Sequence, residues 1–312
     1  MRRIFPMAVV AVFIALAPSL VAGALSGAQR PGDAPRLRPE LLVSTEWLAA
    51  HLHDPQLVVL CVSLAKDFCA KSHIPGARQI ALNEIAVTRD GIPNELPPVE
   101  DLRKVFSRAG VANSSRVVLY GERFNLLAAR AYFTLDYLGV ADHAALLDGG
   151  IDKWRAEQRP LSTETPQVKP AKLAVRVRPA ILVDTAAMRA LGEPNRNAVL
   201  IDARPAKEYS GEQLSEDVKQ AGHIPGATSL YWMDMLVSRE NPVLRPEAEL
   251  RKMYADAHAS VDHPLVTYCR TGMQSSFDYF VAKYLGYQPS MYDASFFEWS
   301  ARNLPAETSP PK

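Results

Sequence analysis

The sequence LVTYCRTGMQSSFDYF, residues 265–280, places Cys269 between an apolar run and a stretch with helical spacing. A short polar turn with one glycine separates the cysteine from that stretch. A strand that ends at a cysteine, turns briefly and enters a helix can point several backbone N–H groups at the sulfur, which favours the thiolate. Because the thiolate is the nucleophilic form, Cys269 is the candidate nucleophile of this chain.

The loop after this cysteine, Arg270 to Gln274, has the composition of an anion-binding cradle. Its N–H groups are expected to curl around the sulfur, and the helix that begins near Ser275 adds the positive end of its dipole. Gly272 permits a backbone conformation that other residues resist, and Arg270 supplies a fixed charge for an oxyanion such as a sulfonate group. A covalent intermediate on Cys269 would divide one transfer into two easier steps.

Other roles for this cysteine fit the sequence less well. The polar residues around it make poor core, which argues against a buried structural cysteine. No histidine with an orienting partner adjoins the loop in sequence, which disfavours a cysteine-protease arrangement. Three cysteines without C-x-x-C spacing do not make a zinc site, so no metal is expected. Neither a phosphate-binding glycine loop nor a dinucleotide fingerprint occurs, so no cofactor is predicted.

An internal repeat organises the chain. SHIPGA begins at Ser72 and GHIPGA at Gly222, and LLDGGIDKWRAEQRP begins at Leu146 and MYDASFFEWSARNLP at Met291. In the second pair of segments an aspartate, a tryptophan and a proline recur in step. Each half also has short, almost wholly apolar runs separated by helical patterns, which indicates a parallel sheet buried on both faces.

We therefore predict an α/β protein with two similar halves, residues 40–160 and 181–306, each a parallel sheet flanked by helices. The segment 161–180 is rich in proline, threonine and basic residues, which is typical of an exposed linker. Aligning the late apolar runs places Gly121 where the second half has Cys269, and Cys61 where it has Asp202. The first half is thus expected to keep the scaffold without the nucleophile.

The first 28 residues resemble a secretory signal. Two arginines precede an apolar run of signal-peptide length, and small residues suited to cleavage follow it. Cleavage at Ala24 or at Ala28 is possible, and a retained membrane anchor is the competing interpretation. We expect a periplasmic or secreted protein without stable membrane insertion after cleavage. The formal net charge of +1 gives no reason to expect nucleic acid as a partner.

The chain has three cysteines, Cys61, Cys69 and Cys269, so at least one sulfur is free. The first two lie close in sequence, and in an oxidising compartment they could form a disulfide. Two isolated, reduced cysteines are the simpler expectation for them. Cys269 is then the natural free thiol.

These motifs together resemble a known family. CRTGMQ, at residues 269–274, resembles the active-site loop of rhodanese-type sulfurtransferases, and HIPGA resembles their scaffold signature. An inactive first domain and an active second domain are the layout of the two-domain thiosulfate and 3-mercaptopyruvate sulfurtransferases. The resemblance covers residues 40–306 and implies two tandem rhodanese-like domains with the site between them. It also implies that Cys269 carries sulfur as a persulfide and that Arg204 contacts the donor's anionic group.

The loop sequence bears on the donor. In thiosulfate-specific members of this family the active-site loop resembles CRKGV, and in mercaptopyruvate-specific members it resembles CGSGV. This chain has Arg270 of the first pattern, but Thr271 in place of the lysine. The remaining loop residues that the resemblance implies in substrate binding are Gly272, Met273 and Gln274. Arginine favours thiosulfate because glycine offers no charge, and 3-mercaptopyruvate is the alternative donor.

Two further functions remain open at this stage. A phosphatase is disfavoured because the cysteine-loop phosphatases resemble a cysteine with an arginine six residues on, where this chain has Ser275. A non-catalytic sulfur carrier or sensor would use Cys269 to hold sulfur for a partner protein. The acceptor is cyanide, a small thiol or a protein, and the sequence does not decide among these three.

Overall fold

The computed structural model describes residue 1 and the ranges 35–65, 67–191 and 198–309. The predicted signal peptide, residues 1–28, lies outside the described residues except for Met1. Within the described ranges, no helix has the length and apolar character needed to cross a membrane.

The first half contains a five-stranded parallel sheet and a separate antiparallel hairpin. Its strands are β1 (Leu42–Val43), β2 (Leu57–Ser63), β3 (Arg78–Ala81), β4 (Val87–Arg89), β5 (Ile92–Glu95), β6 (Arg116–Gly121) and β7 (Ala144–Leu147). Its helices are α1 (Thr45–His51), α2 (Phe68–Lys71), α3 (Val99–Arg108), α4 (Leu126–Tyr137) and α5 (Gly150–Ala156). The spatial order of the sheet is β1-β7-β6-β2-β3, and β4 and β5 form the hairpin.

The second half repeats this architecture. Its strands are β8 (Leu182–Val183), β9 (Val199–Asp202), β10 (Thr228–Ser229), β11 (Leu265–Tyr268) and β12 (Pro289–Tyr292). Its helices are α6 (Thr185–Leu191), α7 (Ala206–Ser210), α8 (Glu247–Asp256), α9 (Met273–Leu285) and α10 (Ser295–Ala301). All pairings in the sheet, whose order is β10-β9-β11-β12-β8, are parallel. The predicted α/β class, with two parallel sheets flanked by helices, is confirmed.

The strands are apolar because both faces of each sheet are covered. Every residue of β2 and of β11 is buried, as expected for parallel strands between layers of helices. One apolar cluster contains residues of both halves, and each half has a second cluster of its own. The two halves therefore share part of their hydrophobic core.

Helices α4 and α9 pack against each other at the centre of the shared core. Tyr132 meets Phe280 edge to face, with ring centroids 5.0 Å apart and planes at 83°. Phe133 meets Tyr279 with the same distance and angle. The sequence Tyr-Leu-Gly occurs at the carboxyl end of both helices, at residues 137–139 and 284–286. Aligning the helices on it makes Tyr132 equivalent to Tyr279 and Phe133 equivalent to Phe280. The contact therefore has approximate twofold symmetry.

The repeated tryptophan and proline have the same role in both halves. The indole N–H of Trp154 donates to the carbonyl oxygen of Pro160 at 2.8 Å. The indole N–H of Trp299 donates to the carbonyl oxygen of Pro305, also at 2.8 Å. Each bond satisfies a buried donor that would otherwise be costly to leave unpaired. The bond accounts for the recurrent tryptophan and for the position of the carbonyl oxygen that it reaches, which any residue could provide.

The expectation that the two early cysteines are reduced was wrong. Cys61 and Cys69 form a disulfide, with Cα atoms 6.2 Å apart and a sequence separation of 8. Cys61 lies on β2, and the chain turns after this strand so that α2 brings Cys69 back against it. Both residues are buried. Sequence spacing alone does not give the path of this turn, which decides whether the sulfur atoms meet.

Candidate active site

Cys269 follows β11 directly and precedes α9 by a loop of three residues. The strand, the turn and the helix thus occur where the sequence predicts them. The cysteine is only 1% exposed, and it is the free cysteine among the residues that the structure describes. It lies at the carboxyl edge of the second sheet, where open parallel sheets bind ligands.

Ser295 holds the loop from below. Its hydroxyl oxygen accepts the N–H groups of Cys269 at 3.2 Å and of Gly272 at 3.1 Å. The same hydroxyl donates to the carbonyl oxygen of Tyr292 at 2.8 Å. The expectation that the N–H groups of the loop 270–274 turn toward the sulfur is therefore wrong for Gly272, whose N–H is bound to Ser295.

Ser275 supplies a donor to the sulfur from the first turn of α9. Its hydroxyl donates to Cys269 Sγ at 3.6 Å. The first N–H groups of any α-helix also have no partner within the helix, and they carry its positive dipole end. The sulfur thus has a serine hydroxyl and the start of α9 beside it. The sequence indicated Ser275 only as the approximate start of this helix and as the position of a missing arginine.

Gly272 is required by the charged pair beneath the loop. Its φ is +81°, and a Cβ at this position would overlap the carboxylate of Asp293. That carboxylate forms an ion pair with Arg130, whose Nη2 donates to Asp293 Oδ2 at 3.0 Å. Both side chains are almost fully buried. Arg130 belongs to α4, so the first half supports the loop of the second half.

A second contact from the first half reaches the loop directly. The side-chain amide of Asn94, on the β4–β5 hairpin, donates to Thr271 Oγ1 at 2.9 Å. The carbonyl oxygen of Asn94 accepts from the guanidinium of Arg130. Three residues of the two halves are therefore joined in one network around the loop. None of these contacts is visible in the sequence, because they join residues far apart in the chain.

A pocket of about 240 Å³ opens above the cysteine, between the two halves. The second half contributes five of the predicted residues, namely Cys269, Arg270, Thr271, Met273 and Gln274. The first half contributes four leucines together with Asn94 and Arg123. The leucines limit access of water, and the two arginines are the charged residues that line the pocket. This composition suits a small anion whose reacting atom must be kept dry.

The structure does not bring Arg204 into this pocket. Its side chain is buried, and its guanidinium donates to Asp202 through Nε at 2.9 Å and Nη2 at 2.6 Å. A further bond from Nη2 reaches the carbonyl oxygen of Gly222 at 2.8 Å. Arg204 is not among the residues that line the pocket, and its implied contact with a donor anion stays a prediction. The nearby Asp202 attracts the guanidinium and holds it beneath the loop.

Asp278, on α9, is a buried carboxyl group that the sequence analysis did not single out. It has no exposed surface, and within the described ranges neither of its carboxyl oxygens has a hydrogen-bond partner. Burial raises the pKa of Asp278 well above its usual range, and the charges of Cys269 and Asp202 raise it further. Burial therefore disfavours the carboxylate form of Asp278 relative to the uncharged acid.

The fold and the site define a class of protein. Two repeated α/β halves form one core, and the second half presents a cysteine at the start of a helix, facing a cleft lined by both halves. The sequence matches the Rhodanese-like domain family over residues 44–157 and again over residues 185–302. The chain belongs to the rhodanese family, as a tandem two-domain member.

Individual relatives agree with this assignment. The "Sulfur carrier protein TtuD" of Thermus thermophilus is 35% identical over 277 residues, which is 84% of this chain and 94% of the relative. The "Thiosulfate sulfurtransferase" of Corynebacterium glutamicum is 33% identical over 285 residues, which is 86% of this chain and 91% of the relative. Among solved structures, YnjE superposes with a TM-score of 0.77 at 23% identity, over 86% of this chain and 68% of that one. The structure of wild-type EanB superposes with a TM-score of 0.75 at 24% identity, and the match covers 87% of this chain and 70% of that one.

Proposed function

We propose that this protein takes the sulfane sulfur of thiosulfate onto Cys269 as a persulfide and passes it to a thiophilic acceptor such as cyanide or a thiol. The observation that carries the proposal is the placement of Cys269. This free cysteine lies at the start of α9, under a small pocket whose charged lining residues are two arginines. A nucleophilic sulfur and an anion-attracting wall are the two parts that such a transfer needs.

The reaction has two displacement steps at sulfur. The thiolate of Cys269 attacks the outer sulfur of thiosulfate, an S–S bond forms, and sulfite leaves with the electrons of the old S–S bond. In the second step the acceptor attacks the outer sulfur of the persulfide, and the Cys269 thiolate leaves with the bonding electrons. No external oxidant or reductant is needed. Ser275 and the start of α9 stabilise the negative charge on sulfur before and after each step.

The choice of thiosulfate as donor rests on the pocket charges and on the relatives. Arg270 lines the pocket and attracts a sulfonate group. Curated relatives with about one third identity carry the name thiosulfate sulfurtransferase. Thr271 stands where the thiosulfate-specific loop has lysine, which leaves 3-mercaptopyruvate as the alternative donor.

The mass of the intact protein tests the proposal. After exposure to thiosulfate, the wild type should gain one sulfur atom and lose it when cyanide is added, while Cys269→Ser should gain none. The matched control replaces Cys61 and Cys69 by serine and keeps Cys269, so it should still load. A parallel experiment with 3-mercaptopyruvate identifies the preferred donor. Loading of Cys269→Ser, or no loading of the wild type by either donor, would contradict the proposal.

A second function has one specific observation in its favour. A relative that is 35% identical over most of its length is named a sulfur carrier protein. A carrier would load Cys269 but release sulfur slowly to small acceptors and rapidly to a protein thiol. Single-turnover discharge of the loaded protein by cyanide, compared with steady-state turnover, separates the two functions. Rapid discharge with continuous turnover supports the enzyme.

We also propose that the protein is exported and loses residues 1–28. The signal-like composition of that segment supports export. The Cys61–Cys69 disulfide supports it independently, because disulfides persist in oxidising compartments. Sequencing the N-terminus of the protein recovered from a periplasmic fraction tests this. An intact N-terminus in the membrane fraction would instead indicate a retained anchor.

A further inference from the structure

Three arginines are candidate sources of positive charge for the site of Cys269, and they differ in whether a carboxylate pairs with the guanidinium. Arg204 is paired with Asp202 and lies outside the pocket. The Nε of Arg270 is 3.5 Å from Asp217 Oδ1, so its charge is partly offset. Arg123, which belongs to the first half, lines the pocket, and no carboxylate in the described part of the chain forms an ion pair with it. Its charge is therefore the one left for a ligand.

The loop that carries Arg123 is held in a costly conformation. Arg123, Phe124 and Asn125 are three successive residues in the left-handed region, with φ of 57°, 56° and 66°. This backbone conformation is unfavourable for a residue other than glycine, and such residues cluster at ligand clamps. The loop between β6 and α4 thus keeps a strained shape that its own sequence does not favour.

Hydrogen bonds at both ends of the loop maintain that shape. The carboxylate of Glu122 accepts the N–H groups of Leu64 and Ala65, each at 3.1 Å. The side chain of Asn125 accepts the N–H of Gly121 at 3.1 Å and donates to the carbonyl oxygen of Leu147 at 2.6 Å. The backbone of the two residues between them, Arg123 and Phe124, is therefore held in place before any ligand arrives. A fixed backbone lowers the entropic cost of bringing the Arg123 side chain to an anion.

We propose that Arg123 binds the anionic end of the sulfur donor while Cys269 attacks the outer sulfur. The inference rests on the proposed function. Arg123 would supply the positive charge that thiosulfate-specific loops obtain from a lysine, where this chain has Thr271. The first half, which has no nucleophile, thus supplies the second positive charge of the donor site. The ligand class is a small sulfonate-like anion with a transferable sulfur, and sulfite, the product, binds the same charge before it leaves.

Steady-state kinetics of Arg123→Met and Arg123→Lys test this. With thiosulfate as the donor, Arg123→Met should raise KM by about 10- to 100-fold, which is the equivalent of one charge-assisted hydrogen bond, with a smaller change in kcat. Arg123→Lys should recover most of the loss because it restores the charge. Inhibition by sulfite should weaken in parallel in Arg123→Met. The matched control is Lys104→Met, which removes one exposed charge of the same half on α3 and should leave KM unchanged.

The outcomes separate this inference from the proposed function. If thiosulfate loads no sulfur onto the wild type, the proposed function fails. If the wild type loads normally and Arg123→Met keeps the wild-type KM and sulfite inhibition, the inference on Arg123 is overturned and the persulfide cycle stands. An equal rise of KM in Lys104→Met would also overturn it, because the effect would then come from net charge. Failure of Arg123→Lys to recover any activity would show that the loop shape and not the charge matters.

Discussion

The two halves of the molecule have the same scaffold down to single hydrogen bonds, and yet their equivalent loops carry different chemistry. The hydroxyl of Tyr120 accepts the N–H of Ile74 at 3.1 Å, and the hydroxyl of Tyr268 accepts the N–H of Ile224 at the same distance. Each tyrosine is the last or next-to-last residue of a central strand. The repeated HIPGA segments are thus attached to their sheets by the same bond.

The residue after each tyrosine shows where the halves diverge. In the second half it is Cys269, and in the first half it is Gly121, whose position would put a Cβ 2.5 Å from the carbonyl oxygen of Val62. The first half therefore has no space for a nucleophile. Its loop instead has three left-handed residues and presents Arg123 to the shared pocket. The pocket is therefore composite, with the sulfur contributed by the second half and a charge by the first.

The largest expected effect comes from removing the ion pair by which the first half supports the catalytic loop. Arg130→Met leaves the carboxylate of Asp293 buried without a partner, which should cost about 3–5 kcal/mol of the free energy of unfolding. Sulfur loading should fall as well, because Gly272 rests on this pair. Urea denaturation and intact mass measure the two effects.

The counterpart of Asp293 in the first half provides the control. Asp148 accepts the N–H of Leu244 at 3.0 Å, so Asp148→Ala, which removes this acceptor, should cost about 1 kcal/mol, the value of one hydrogen bond. The double variant Arg130→Met/Asp293→Asn should recover part of the loss, since it removes the unpaired charge. Equal losses of stability for the variants at Arg130 and Asp148 would contradict this expectation. They would mean that the first half supports the second no more strongly than the second supports the first.

An attempt to restore the missing nucleophile should fail. In Gly121→Cys the new Cβ would overlap the backbone of β2, so we expect a loss of about 1–3 kcal/mol in the free energy of unfolding. Thiosulfate should still add one sulfur atom and not two. In a Cys269→Ser background the variant should add none. A second sulfur atom on the single variant would show that the first half has retained a functional cradle.

A smaller effect concerns Asp278, the buried carboxyl group on α9. Because the folded-state pKa of Asp278 is raised, its contribution to stability is complete below the unfolded pKa of about 3.9 and is lost as the pH rises through the folded pKa. Wild-type stability should therefore fall with rising pH by up to about 1.4 kcal/mol per pH unit relative to Asp278→Asn.

Urea denaturation of both proteins from pH 5 to about pH 8 measures this difference. Asp262→Asn, in an exposed turn of the same half, is the control and should run parallel to the wild type. Parallel curves for the wild type and Asp278→Asn would mean that Asp278 is charged throughout this range, and that the fold tolerates a buried carboxylate beside Cys269.

The sequence predicts what depends on local pattern and on the repeat. The apolar runs predict the central strands, the repeat predicts two similar sheets, and the alignment of Gly121 with Cys269 agrees with their positions after the equivalent tyrosines. The loop at Cys269 is predicted because strand, turn and helix follow each other in the chain. All of these features involve residues that are neighbours in sequence or equivalent in the repeat.

The features that the sequence does not predict depend on contacts between distant residues. The pair of Arg130 and Asp293 joins the two halves, and nothing local marks either residue as buried. The guanidinium of Arg204 could point to the cleft or to Asp202, and only packing decides between them. The disulfide similarly depends on the path of the chain after β2. Such contacts are fixed by the tertiary fold and not by local propensity.

The approximate twofold symmetry at α4 and α9 bears on the origin of the chain. In a twofold-symmetric pair of identical subunits, each residue near the axis meets its own copy or the same neighbour twice. Tyr132 with Phe280 and Phe133 with Tyr279 make such a repeated contact within one polypeptide. Two equivalent contacts of this kind are what the fusion of two copies of one domain, paired about a twofold axis, would leave in a single chain.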